Sequence, residues 1–205
     1  MTATAKRDRF QELHEGPGLF AIPNPWDVGS AVRLEALGFL ALATTSSGLA
    51  WSLGREDGDV TLEELVAHTA AVGEATTIPL NVDAERCFAE TLDGVAATVD
   101  RLGDAGAAGC SIEDWHPETG IDPLATAVER VAAAVEEANR HAMVLTARAE
   151  NHLRGVDELN DTIERLTAYR DAGAHCVYAP GLVTAADIGR VVDAVGGPVN
   201  VLARP

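Results

Sequence analysis

Short apolar runs alternate with longer amphipathic stretches from one end of the chain to the other. The runs are Leu19–Ile22, Leu40–Thr44, Pro79–Asp83, Cys110–Glu113, Met143–Arg148, Cys176–Ala179 and Val199–Leu202. Their length and their polar flanks predict buried strands. Between them apolar residues recur at three- and four-residue steps, as in Leu124, Val128, Val131 and Val135 or Ile188, Val191, Val192 and Val195, which predicts helices. Thr61 with Glu64, and Thr184 with Asp187, have the spacing of a hydroxyl N-cap answered by an acid one turn on.

Three helix-to-strand junctions carry the same glycine: Leu37-Gly38-Phe39, Ala105-Gly106-Ala107 and Ala172-Gly173-Ala174. From Gly38 to Gly106 is 68 residues and from Gly106 to Gly173 is 67, two βα units of about 34 residues each time. Such alternation predicts parallel strands, in a closed barrel or an open doubly wound sheet. No GxGxxG follows the first strand, so a dinucleotide-binding fold has no support. Seven strands are expected, the last just before Pro205, one step short of an eight-stranded barrel. A missing stave exposes two strand edges, so either the chain is a fragment or a partner covers the gap.

At 205 residues the chain can bury one sizeable core. Fifteen basic against thirty-two acidic residues give a formal charge of −17, which argues against nucleic acid as a partner. The acids are scattered, as on solvated helix faces, so an anionic substrate needs local cations to hold it. Cys87, Cys110 and Cys176 lack CxxC spacing; Cys110 and Cys176 start apolar strands and read as buried thiols, and nothing activates Cys87. No signal peptide is visible in Met1–Glu15, and no apolar stretch approaches the ~20 residues of a membrane span. A cytoplasmic protein with no membrane partner is expected.

Four of the apolar runs end in groups that can do chemistry. Asp83 and Glu85, two apart, share one face of a strand end, and Glu113 ends the next run; three oxygen donors there suit a hard divalent cation. Surface acids at strand ends are common, so the spacing alone leaves that open. Arg148 could grip a substrate carboxylate bidentately or simply neutralise Glu113 or Glu150. Thr45, Ser46, Ser47 and Gly48 offer hydroxyls and backbone N–H groups to an anion. In Arg55-Glu56-Asp57-Gly58-Asp59 a plain turn competes with a carboxylate on a closing lid. His116 is a proton donor or an ordinary loop histidine. His68, His141, His152 and His175 are expected to face solvent.

Taken together, Asn24-Pro25-Trp26-Asp27, Thr44–Gly48, Asn81-Val82-Asp83-Ala84-Glu85, Ala105–Gly109 with Ser111-Ile112-Glu113-Asp114, Ala147-Arg148-Ala149-Glu150 and Pro198–Leu202 resemble the phosphoenolpyruvate mutase/isocitrate lyase superfamily over nearly the whole chain. The resemblance implies a (βα)8 TIM-type barrel, here a single domain over residues 1–205, truncated after the seventh strand with the C-terminal eighth unit missing. It implies Mg²⁺, with Mn²⁺ as a substitute, near Asp83, Glu85 and Glu113 and mostly held through water. Thr45, Ser46, Ser47, Gly48, Arg148 and Asn200 would bind a small anionic carboxylate. Asp57, Arg148 and Glu113 would act in catalysis, and the protein would be a homo-oligomer.

The implied activity is a lyase or decarboxylase acting on a small 2-oxo or 2-hydroxy (di)carboxylate through an enolpyruvate-like intermediate. A P–C mutase or phosphonopyruvate hydrolase, and a non-catalytic truncated barrel, are the alternatives. The loop Asp114–Gly120 lacks the Lys-Lys/Arg-Cys-Gly-His stretch of isocitrate lyases, which argues against isocitrate lyase itself. Glu85-Arg86-Cys87-Phe88-Ala89 stands where many relatives have Asp-Thr-Gly-Tyr-Gly.

Overall fold

A computed structural model describes residues 1–203, so the chain end at Arg204 and Pro205 lies outside the described residues. The helices are α1 Ala3–Glu15, α2 Val28–Ala36, α3 Ser46–Ser52, α4 Leu62–Ala75, α5 Leu92–Asp104, α6 Leu124–Arg140, α7 Leu159–Asp171 and α8 Ala185–Val195. The strands are β1 Leu42–Ala43, β2 Leu80–Asp83, β3 Gly109–Glu113, β4 Trp115–His116, β5 Gly120–Ile121, β6 Val144–Arg148, β7 Cys176–Tyr178 and β8 Val199–Asn200. Six strands form one parallel sheet in the order β1-β2-β3-β6-β7-β8, curled into part of a TIM-type barrel. β4 and β5 form a separate antiparallel ribbon at its mouth.

The period-two pattern sorts each strand between two environments. Leu42, Leu80, Val82, Cys110, Ile112, Leu145, Ala147 and Val177 face outward into the main core beneath the helices. The alternate positions point into the barrel in three rows set by the register. Ala43, Asn81, Gly109 and Val144 form the lowest row, and Asp83, Ser111, Thr146 and Cys176 the middle one. Glu113, Arg148, Tyr178 and Asn200 form the top row. The rows therefore run from uncharged side chains at the floor to the Glu113–Arg148 pair at the carboxyl ends of the strands.

The floor is a second, small core. Phe10 of α1 packs there with Ala41, Ala108, Val144 and Cys176, and Phe20 and Ile22 lean against it. Gly109 is required beneath Phe10: an added Cβ would lie 2.6 Å from the Val144 carbonyl and 2.7 Å from the Phe10 ring. The three junction glycines take positive φ, at 90° for Gly38, 95° for Gly106 and 100° for Gly173, as a helix stop before a strand requires. Thr61 and Glu64 form the expected capping box, and Thr184 caps α8.

Two expectations need correction. Leu19–Ile22 has no regular secondary structure and is not a strand of the sheet. Pro23 and Pro25 follow it and supply no N–H; the bonds to β1 come after it, from the Ala43 N–H to the Pro23 carbonyl at 3.1 Å and from Asn24 Nδ2 to the Ala43 carbonyl at 2.9 Å. The four histidines are half-buried rather than solvent-facing. His141 Nε2 lies 2.7 Å from Asp100, and His175 Nδ1 accepts the Leu145 N–H at 3.1 Å.

Candidate active site

The barrel mouth opens into a cavity of about 870 Å³, half polar in its lining, bounded by Thr45, Ser46, Ser47, Asp57, Asp83, Glu85, Glu113, Arg148 and Asn200 among others. Arg148 stands at its centre. One Nη donates to Asp83 Oδ1 at 2.7 Å. The other lies 2.9 Å from Glu150 Oε1 and 3.2 Å from Glu113 Oε2. Its Nε also donates to Glu150 at 2.9 Å, and its guanidinium lies 5.5 Å from the centre of the Tyr178 ring. Burial works against the charge, but these three carboxylates outweigh it and hold the Arg148 pKa well above its ordinary value. Both readings of Arg148 are thus compatible with its position, since the cation that neutralises the cluster also faces the cavity.

Asp83 is fixed from three sides. It accepts from the Ser46 N–H at 3.2 Å, from Ser111 Oγ at 3.2 Å and from Arg148, while its own N–H donates to Thr44 Oγ1 at 2.8 Å. Beyond it the backbone turns sharply: Glu85, Cys87 and Phe88 all have positive φ, of 48°, 59° and 51°. Three left-handed non-glycine residues in four positions store strain, which persists where packing over-determines the turn. Here Cys87 is buried against the main core, and the Glu113 N–H holds the Glu85 carbonyl at 3.0 Å. The turn brings the Glu85 carboxylate back to the cavity wall.

The charge there is unbalanced. Burial, then the nearby Asp83 and Asp57 charges, push the Glu85 carboxyl up to about 7. Burial pushes Glu113 up to about 8, against the pull of Arg148 and with Glu150, Asp83 and Glu85 adding to the rise. Glu150 is raised chiefly by burial, and its Oε2 is buried without a hydrogen bond, as is Asn81 Oδ1 in the lowest row. A cavity with this excess of oxygen acceptors fits a hard cation. Asp83, Glu85 and Glu113 are set too wide for all three to ligate it directly, so water would complete its shell. Among the described residues the group of three whose ligand atoms come within 4.8 Å of one another is Asp100, Glu137 and His141, on α5 and the end of α6. That group is an ion pair at a helix end, with the His141 ring closed against Gly103, and lies apart from the cavity.

The hydroxyl segment is a helix start rather than a loop. Thr45 is the N-cap of α3, and its Oγ1 lies 3.1 Å from Ser47 Oγ at the cavity wall. Gly48 is buried inside α3 and is not part of the wall; an added Cβ would meet the Trp26 ring at 2.5 Å, so it serves packing. Asp57 is exposed at the rim, on a segment bracketed by Gly54 and Gly58 at positive φ. Arg55 anchors that segment to Glu64 of the α4 capping box at 2.8 Å.

His116 holds a turn. Its Nδ1 accepts from the Glu118 and Thr119 N–H groups at 3.1 and 3.3 Å, and the ring is absent from the cavity wall. The cysteines are inert: burial pushes the Cys87 thiol up to about 12 and Cys176 up to about 11, and raises Cys110 too.

Sequence reasoning missed three features. Asp114 is buried and accepts the Glu150 N–H at 2.9 Å, Tyr169 Oη at 2.6 Å and Arg165 at 3.2 Å, so it ties the end of β6 to α7. Trp115, in the ribbon, and Arg154, in the turn after β6, both line the cavity. Arg154 falls four residues after Glu150, and that spacing was its one signal.

Residues 10–205 match the family model described as phosphoenolpyruvate phosphomutase. A Burkholderia cenocepacia J2315 protein provisionally described as a lyase/mutase is 44% identical, with a TM-score of 0.96 over 98% of this chain and 74% of its own. The structure of 2,3-dimethylmalate lyase, a PEP mutase/isocitrate lyase superfamily member, is 26% identical with a TM-score of 0.85 over 97% of this chain and 70% of its own. The 2-methylisocitrate lyase of Escherichia coli K12 is 31% identical over 179 residues, 82% of this chain and 60% of that protein.

Proposed function

Since this chain belongs to the phosphoenolpyruvate phosphomutase family, whose members and structural neighbours here include C–C lyases, we propose that it is a Mg²⁺-dependent lyase or decarboxylase of a small 2-oxo or 2-hydroxy (di)carboxylate. Mn²⁺ would substitute. The observation that carries this is the Arg148 guanidinium among Asp83, Glu113 and Glu150 at the strand ends, with the Thr45–Ser47 hydroxyls on the same cavity. Asp83, Glu85 and Glu113 would hold the cation nearby, and it would supply Lewis-acid stabilisation of the negative charge that develops beside the carboxylate when the bond breaks.

The chain's own groups do the rest. Arg148 offers a planar fork to the substrate carboxylate and exchanges part of its hold on Asp83 and Glu113 for it. Thr45, Ser46 and Ser47 orient the reacting end, and Asn200 bounds the cavity opposite. Glu85 and Glu113, whose carboxyls burial raises, would be the groups to ionise beside a bound cation. Asp57 closes from the rim and excludes water. We place the protein in the cytoplasm, in keeping with its three buried free cysteines, and propose a homo-oligomer that covers the edges of the curled sheet.

Incubation with Mg²⁺ and a panel of 2-oxo and 2-hydroxy acids, with products followed by NMR, tests this. A new 2-oxo acid or oxalate that forms with Mg²⁺ and not with a chelator is expected. Phosphonopyruvate turned over alone would replace a C–C lyase with P–C chemistry.

Two variants bear on the roles. Glu113→Gln should weaken Mg²⁺ binding roughly tenfold by calorimetry; unchanged affinity would remove Glu113 from the cation's surroundings. Asp57→Ala should lower kcat with little change in KM, because a rim group acts after docking. A change confined to KM would make Asp57 a binding group.

A further inference from the structure

Among the described residues three arginines line the cavity, and two of them are hydrogen-bonded to carboxylates. Arg148 is shared among Asp83, Glu113 and Glu150. Arg86 donates to Asp122 at 3.2 and 3.3 Å and to Glu90 at 3.0 Å. Arg154 differs. Its guanidinium makes no hydrogen bond among the described residues, and the carboxylate oxygens within reach, Glu113 Oε1 and Glu150 Oε2, are both 4.0 Å away. It is held by the face of Trp115, 4.3 Å from the ring centre. An arginine over the face of a tryptophan remains charged, and the ring takes up none of its five N–H donors in conventional hydrogen bonds.

Glu113 lies between the two guanidiniums, with Arg148 on one oxygen and Arg154 toward the other. A ligand that engages Arg148 therefore has a second cation one carboxylate's width away, on the solvent side, where the Arg154 side chain is about one-third exposed. Trp115 owes its place to the ribbon, paired with Ile121 across β4 and β5. Stacking fixes the fork before a ligand arrives, so little side-chain freedom is lost on binding.

We propose that Arg154, braced on Trp115, is the specificity-determining residue that receives a second acidic group of the substrate, so that the site selects diacids over monoacids of the same length. This rests on the function proposed above, in which the first carboxylate engages Arg148.

Matched four-carbon probes separate the two ideas. Malate and 2-hydroxybutyrate share length and a 2-hydroxy acid end and differ in the distal carboxylate. Oxalate reports on the inner site alone. Binding to the full chain with Mg²⁺ is measured by calorimetry for the wild type, Arg154→Met and Arg154→Lys. The wild type should prefer malate to 2-hydroxybutyrate by roughly tenfold or more, the scale of a charge-assisted pair.

Arg154→Met should abolish that preference while 2-hydroxybutyrate and oxalate bind as before; the lysine variant should restore part of it. Oxalate binding normally with no diacid preference in the wild type, or with malate and 2-hydroxybutyrate weakened equally in Arg154→Met, would overturn the assignment and leave the proposed function standing. Oxalate failing to bind the wild type would overturn both.

Discussion

Arg148→Met should destabilise the protein by about 3–5 kcal/mol and abolish turnover. The substitution preserves much of the side-chain volume and removes the charge that Asp83, Glu113 and Glu150 all contact. Glu150 is fully buried, the Asp83 and Glu113 side chains are only 14% and 10% exposed, and Arg148 is the cation that all three share. The desolvation cost of those carboxylates remains while the compensating attraction is gone. For a chain of this size about 1 kcal/mol corresponds to roughly 2–4 °C in Tm, so a drop on the order of 10 °C by circular dichroism is expected. Proton uptake by Glu113 and Glu150 relieves part of the loss, so the drop should shrink toward acid pH. Arg148→Lys keeps a charge but cannot span Asp83 and Glu150 together; it should recover part of the stability and none of the turnover. A variant melting within a degree or two of the wild type would mean that Arg148 does not hold the cluster.

The second large effect is the pH dependence of the metal-free protein. Glu85 rises from an ordinary 4.5 to about 7 and Glu113 to about 8, in both cases chiefly through burial. The folded state thus binds these protons more tightly than the unfolded chain. Their contribution to stability is fully present below about pH 4.5 and is lost as the pH rises through about 7 and 8. Chelator-treated protein should accordingly melt lower at pH 8.5 than at pH 6, by several degrees.

A cation favours the ionised carboxylates, so Mg²⁺ should restore most of the loss at pH 8.5 and little at pH 6, and its binding should release protons in this range. Metal-free protein with a flat or rising Tm over this interval would show that Glu85 and Glu113 are not forced to ionise in a buried, electron-rich site.

Most of the fold was legible because its governing signals are local. The six sheet strands follow the apolar runs, and the junction glycines fall at the left-handed stops. Asp83, Glu85, Glu113 and Arg148 could be gathered because parallel strands deliver their ends to one face. What escaped depends on partners far away in sequence. Phe10 is one apolar residue of a polar helix, yet it plugs the barrel floor. Gly48 looked like part of an anion loop until the Trp26 ring was seen against it.

Asp114 read as a motif neighbour of Glu113, whereas its partners, Glu150, Arg165 and Tyr169, lie 36, 51 and 55 residues on. Arg154 became interesting only when the ribbon placed Trp115 beneath it. Spacing along the chain reports the face a residue takes, not what stands opposite.

One cavity is expected to hold a divalent cation and a carboxylate together, and the Tm measured with Mg²⁺, with oxalate and with both decides whether it does. At pH 6, where Mg²⁺ alone has little charge to neutralise, each alone should move Tm little and the two together by several degrees, since a ligand at a hundred times its Kd adds about 2.7 kcal/mol. Shifts that merely add, or no shift under any condition, would contradict a shared site at Asp83, Glu85, Glu113 and Arg148.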